Sequence, residues 1–180
     1  MLLFMDFDGV LHNENVTLKR CKQSSVRWLK EYERRYLTTT GHYVKGINLF
    51  EHADRLATAL APYPEVQIVI SSTWREHFYP EKLLSFLPPK LAARVIGQTP
   101  HYDKYGGVGA RLQEVLAYLH GNGFADRQWI ALDDQAQLFW DDTENPPDNL
   151  FICGNDGLTE ETIAAFSDFL LRRMKGKYHE

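Results

Sequence analysis

The sequence predicts an α/β fold, a parallel sheet with helices on both faces and a small helical insertion after the first strand. Three observations predict it. Five short apolar segments recur along the 180 residues, and amphipathic helical patterns lie between them. Two of those segments end in paired acids, as expected of strands whose carboxyl ends line a ligand cleft.

The first strand is Leu2 to Met5, an uninterrupted apolar run suited to the centre of a parallel sheet. It leads into Asp6, Phe7, Asp8 and Gly9. Strand side chains alternate between faces, so Asp6 and Asp8 are expected on the same side and close together. Residues 12–48 break the alternation of strands and helices and read as an insertion over the carboxyl end of the sheet, helical at Val26, Leu29, Tyr32 and Tyr36. Leu49, Phe50, Ala53, Leu56, Ala57 and Leu60 then recur at helical spacing. Val66 to Ile70 is the second strand, and Glu81 to Phe86 a short helix that Pro88 and Pro89 should stop. Arg94 to Ile96 is a strand, and Leu112, Val115, Leu116 and Leu119 mark the next helix. Trp129 to Leu132 and Asn149 to Cys153 complete the sheet. The last helix starts after Thr159, a capping residue, with Glu160 and Glu161 at the positive end of its dipole, and runs to about Met174.

Composition narrows the function classes. Hydrophobic content of 44% and charged content of 24% are ordinary globular values, and the length suits one domain over residues 1–180 with a cap-like insertion. A net charge of -4 excludes a generally basic nucleic-acid binder. Two cysteines, Cys21 and Cys153, are too few for a disulfide framework, and no signal peptide or long apolar run is visible, so a cytoplasmic protein without membrane association is expected. Charge is uneven. Between Lys19 and Lys45 eight Lys/Arg face two acids, so this segment carries +6 and the remainder -10.

Four stretches carry candidate chemistry. Asp6 and Asp8 repel unless a cation neutralises them, so they ask for a metal ion, acid/base work, or both. An EF-hand is excluded, because the glycine is misplaced and no closing Glu follows. The strand VQIVI ends in Ser71, Ser72 and Thr73, followed by Arg75, which are groups able to bind phosphate oxygens or to cap a turn. WIALDD ends in Asp133 and Asp134, a second acidic pair on the same sheet edge, and four carboxylates there call for a hard divalent cation, Mg2+ first. In DKYGGVGARLQEVL, Gly106, Gly107 and Gly109 read as a turn, while Lys104 and Arg111 are rival cations, Arg111 standing in a first helical turn that disfavours positive charge.

DFDGVL, an apolar strand ending in Ser, a basic residue on a helix and a strand ending in DD, in that order, resemble the haloacid dehalogenase-like (HAD) superfamily of phosphohydrolases over nearly the whole chain. FEHADRLATALAPYPEVQIVISSTWRE, RVIGQTP, ALDD and GLT look like small bacterial and phage HAD proteins grouped with the HAD domains of RNA-repair proteins. The resemblance implies a Rossmannoid sheet and a phosphatase using an aspartyl-phosphate on Asp6. Asp8 would be acid and then base, and Ser72 or Ser71 would hold a phosphoryl oxygen. Arg111, where the family more usually has lysine, or its rival Lys104 would offset charge. Asp6, Asp133, Asp134 and the backbone carbonyl of Asp8 would bind Mg2+. Apart from the resemblance, the hydrogen-bonding groups of Ser71, Thr73 and Arg75 and the charge of Lys104 make these residues candidate substrate contacts. Asp8 favours phosphate transfer over dehalogenation, which dispenses with that acid. The expected substrate is a phosphorylated small molecule, with a nucleic-acid end or nucleotide as the alternative. A catalytically idle binding module is the rival from another class, against which the intact acids count.

Overall fold

The computed structural model describes residues 1–14, 43–44, 47–102, 107–139 and 147–175. In chain order the strands are β1 (Leu2–Met5), β2 (Tyr43–Val44), β3 (Ile47–Asn48), β4 (Gln67–Ile70), β5 (Val95–Gln98), β6 (Trp129–Asp133) and β7 (Leu150–Ile152). The helices are α1 (Ala53–Ala59), α2 (Pro80–Ser85), α3 (Pro89–Ala92), α4 (Ala110–Gly121) and α5 (Glu160–Lys175). Five strands form one parallel sheet in the order β5-β4-β1-β6-β7, and β2 and β3 form a separate antiparallel pair. The chain begins in the middle of the sheet, builds outward through β4 and β5, and returns across β1 to build β6 and β7. This reversal places β1 at the topological switch point, where the carboxyl ends of the strands open a crevice.

Alternation along the strands sorts the core into two faces. Leu3, Met5 and Phe7, with Ile68, Ile70, Ile130 and Leu132, pack with Leu56 of α1, Leu83 of α2, Leu91 of α3 and Leu170 of α5. Leu2, Phe4, Val69, Ala131 and Leu150 pack with Val115, Tyr118 and Leu119 of α4. Each fully buried side chain of this size is worth about 1.5–3 kcal/mol of transfer free energy, so both faces strongly specify the register. That register positions the site. Met5 pairs with Ile70 on one side and Leu132 on the other. One residue further on, Asp6, Ser71 and Asp133 therefore stand abreast, all on the face covered by α4.

Some elements depart from expectation. The helix expected from Leu49 begins only at Ala53, because Phe50 has a left-handed φ of 54° and residues 49–52 form a turn. Pro88 and Pro89 do more than stop α2: Pro89 opens α3, where a missing N–H costs no helical bond. Residues Thr73–Glu76 add an unexpected 3-10 turn after β4. Gly107 and Gly109 do form a turn before α4, with Gly109 its left-handed N-cap at φ 74°, while Gly106 lies outside the described residues. Thr159 caps α5 as expected, accepting from the Thr162 N–H at 3.3 Å. Most of the basic insertion, including the helical pattern at Val26 to Tyr36, lies outside the described residues, as does Lys104. Among the described residues no helix is long and apolar enough to cross a membrane.

Candidate active site

Asp6 follows the last residue of β1 and is almost wholly buried, with Oδ1 accepting the Phe7 N–H at 2.7 Å. Asp133 ends β6 abreast of it, and Asp134 follows. Each of the three acids offers one carboxylate oxygen, and these oxygens lie within 4.8 Å of one another. Gly9 makes room for this. Its φ is 63°, and a Cβ there would stand 2.3 Å from Asp134 Oδ2, so only glycine fits beneath that carboxylate. Asp133 Oδ1 accepts the Gln135 N–H at 2.9 Å, but Asp133 Oδ2 and Asp134 Oδ1 are buried without a hydrogen-bond partner. Burial first, and the neighbouring carboxylates second, push the Asp134 acid up to about 8. Asp6 is pushed up to about 7, chiefly by burial; Arg111 and a hydrogen bond from Ser72 pull against burial and against the charges of Asp133 and Asp8. Burial also raises Asp133.

Arg111, in the first turn of α4, is 4% exposed and points into this cluster. Its Nη1 lies 3.5 Å from Asp133 Oδ2 and 3.9 Å from Asp6 Oδ1, and it donates to the Ser71 carbonyl, with the Ser71 hydroxyl 3.4 Å away. Burial disfavours its charge, but Asp133, Asp6 and Glu114 outweigh burial and raise its pKa. The unfavourable helix position thus has its compensation in three acids. Arg75 is placed differently. Its guanidinium donates to the carbonyls of Ser71 at 2.8 Å, Ser72 at 2.6 Å, Thr99 at 3.1 Å and Pro100 at 3.4 Å, and to Glu114 Oε2 at 2.5 Å. These acceptors match the five N–H groups an arginine has. Arg75 therefore fastens the Ser71–Ser72 turn and is not aimed at the cleft. Ser72 caps the 3-10 turn, accepting the Trp74 N–H at 3.4 Å, and Thr73 is half-buried at its start.

Asp8 does not join the three acids through its side chain. The Trp74 indole N–H donates to both its oxygens, at 3.1 and 3.0 Å, and His12 Nε2 is 2.9 Å from Oδ1. β1 ends at Met5, so strand pairing no longer fixes where the Asp8 side chain lies, although its charge still bears on Asp6. Three residues of the site carry no mark that sequence reasoning found. Glu114 lies 3.7 Å from Arg111 Nε as well as on Arg75, and its i,i+3 spacing from Arg111 on α4 is a usable signal. His12, four residues after Asp8, and Trp74, inside SSTWR, have no local signal, because their contacts depend on how the turns fold.

The donor set fits a hard cation. Three carboxylates converge, two of their buried oxygens lack a donor, and every ligand atom is oxygen, which suits Mg2+ better than a softer metal. A parallel switch-point sheet with DxD directly after its central strand and DD at the end of the neighbouring one defines the class: an HAD-like α/β protein of the phosphohydrolase type. The family described as the HAD domain in Swiss Army Knife RNA repair proteins matches residues 2–163, and the chain belongs to that family. Searches of curated proteins and of solved structures found no match.

Proposed function

We propose that the protein is a Mg2+-dependent phosphatase that hydrolyses a phosphate monoester through an aspartyl-phosphate on Asp6. One observation carries the reading: register sets Asp6, Ser71 and Asp133 abreast beneath Arg111, with buried carboxylate oxygens left without donors. Held by Asp6, Asp133, Asp134 and the Asp8 backbone carbonyl, Mg2+ would supply positive charge to the transferring phosphoryl group and to the acids themselves.

The residues of the chain divide the remaining work. An Asp6 oxygen bonds to phosphorus as the bond to the ester oxygen breaks, and Asp8 delivers its proton to that departing oxygen. Asp8 then takes a proton from water, whose oxygen bonds to phosphorus while the bond to Asp6 breaks, releasing phosphate and restoring both acids. The Ser72 hydroxyl, or that of Ser71, holds a phosphoryl oxygen, and Arg111 offsets negative charge on Asp6 and the phosphoryl group. Arg75 acts at one remove by holding the serine turn. Thr73 and Lys104 remain candidates for substrate contact.

A nucleic-acid end is the favoured substrate among phosphate monoesters. The family description points to RNA repair, and the +6 segment stands in the chain where a cap over the cleft would begin. The test is a screen of phosphorylated metabolites, nucleotides and 5′- or 3′-phosphorylated oligonucleotides, with and without Mg2+, for wild type and Asp6→Asn. The amide keeps the shape of the acid but cannot attack phosphorus. Wild-type turnover that depends on Mg2+ and falls below about a hundredth in Asp6→Asn is expected; retained turnover in the variant removes Asp6 as nucleophile.

A further inference from the structure

His12 is a polar side chain with no exposed surface, and the nearly buried Phe50 stands beside it. The Phe50 N–H lies 3.4 Å from His12 Nδ1 and points at it as donor. Nδ1 is then the acceptor nitrogen, so the proton of the neutral ring sits on Nε2, the atom 2.9 Å from Asp8 Oδ1. Phe50 is the one non-glycine residue with positive φ among the described residues, an unfavourable conformation for a bulky side chain that the surrounding structure must enforce. Its ring packs at 5.1 Å from His12 and 5.4 Å from Trp74 between centroids, and Trp74 packs against Phe7 at 6.0 Å and Phe86 at 5.5 Å. The two donors that grip Asp8 are thus themselves locked in an aromatic cluster on rigid core residues.

We propose that His12 is a positioning residue: with Phe50 fixing its tautomer, it and the Trp74 indole clamp the Asp8 carboxyl group, which carries the proton as acid, in the orientation from which that proton reaches the departing oxygen. The inference rests on the reading of Asp8 as acid. Its consequence is selective. An ester that leaves as an alkoxide, such as a sugar or glycerol phosphate, needs that proton, whereas a nitrophenolate departs without one. A histidine that merely fills the core would affect both alike.

The experiment compares kcat/KM, which spans only the steps through formation of the aspartyl-phosphate, for nitrophenyl phosphate and glycerol phosphate in the Mg2+-supplemented full chain. His12→Phe is expected to lose about a hundredfold on glycerol phosphate and less than about threefold on nitrophenyl phosphate, the scale of a misaligned general acid. His12→Gln, which can place an amide N–H near the Nε2 position, should recover at least about tenfold of that loss. Trp74→Phe should show the same selectivity, and it keeps the test open if His12→Phe does not fold. Equal losses on both esters, or no loss on either, overturn the proposal. Ring nitrogen NMR of the wild type is an independent readout: protonation at Nε2 with a bare Nδ1 is expected, and the reverse overturns the clamp. A wild type that hydrolyses neither ester nor a phosphorylated oligonucleotide, while the ring tautomer is as expected, instead removes the phosphatase reading and the catalytic part of the clamp with it.

Discussion

Arg75 and Arg111 are two buried arginines that touch the same carboxylate, Glu114, and the same Ser71 carbonyl, yet they face opposite tasks. Arg75 has its five N–H groups on four carbonyls and an acid, and burial, then the charge of Arg111, lowers its pKa. Arg111 turns its Nη1 between Asp6 and Asp133, and those acids raise its pKa despite its burial. Burial and residue type do not separate the two. Their donors do: one arginine holds the loop while the other faces the acids.

Removing each guanidinium is the largest test of that contrast. Arg111→Met is expected to lower kcat/KM by about 10²–10³, the effect of losing one donor aimed at developing charge. Arg75→Met should keep activity within about tenfold while it remains folded, but lose about 3–5 kcal/mol of stability, because it takes from buried Glu114 its shortest ion pair and from several buried carbonyls a charged donor. Chemical denaturation and steady-state kinetics on both variants read these effects. Equal activity losses at a temperature where both are folded would erase the distinction.

The acids opposite Arg111 supply the next test. Asp6 near 7 and Asp134 near 8 lie above the ordinary carboxylate value, so between about pH 4 and pH 8 the folded chain binds more protons than the unfolded one. Stability of the metal-free protein should therefore fall as pH rises through that window. Mg2+ should reverse the fall, adding about 2.7 kcal/mol at a hundredfold excess over Kd, since it binds the folded state alone. Asp134→Asn should flatten both responses. A metal-free Tm that stays level from about pH 5 to about pH 8, or a Tm at about pH 8 that ignores millimolar Mg2+, rules out a cluster short of positive charge.

Lysine substitutions sharpen the contrast at smaller scale. Arg111→Lys keeps a point charge facing the acids and should cost no more than about tenfold in kcat/KM, whereas Arg75→Lys cannot rebuild a five-armed grip and should recover little of the stability that Arg75→Met forfeits. The smallest expected effect belongs to the basic insertion. Arg34→Gln with Arg35→Gln should raise KM for an oligonucleotide end several-fold and leave a small chromogenic phosphate unchanged. The salt dependence of oligonucleotide affinity should also become shallower, by a log-log slope of about 0.7 for each phosphate set free. Equal effects on both substrates would assign those charges to the fold.

The sheet was legible because its strands are continuous apolar runs, and a buried strand such as Leu2–Met5 has few other ways to be read. The acids at Asp6, Asp133 and Asp134 were legible because charge at the end of such a run has no packing purpose. Less could be read where geometry depends on a turn. The left-handed Phe50 shortened α1, and beyond the end of β1 the Asp8 side chain meets Trp74 and His12, partners separated in sequence or lacking any periodic pattern. A guanidinium close to two serines reads as a substrate contact at Arg75, and only the folded chain reveals the five acceptors already around it.

The order of the two faces along β1 has a consequence for how this chain tolerates change. Hydrophobic exchange within Leu2–Met5 alters volume alone, and a close-packed core absorbs a volume-conserving swap for under about 1.5 kcal/mol. Deleting one residue there is another matter. If the deletion shifts the pairing, each side chain beyond it crosses to the opposite face, delivering Phe7 to the position beneath Arg111 and Asp6 into the apolar layer shared with α1 and α5. The same strand is therefore permissive toward substitution and intolerant of a length change, and deep mutational scanning should find its single-codon deletions as damaging as replacement of Asp6 itself.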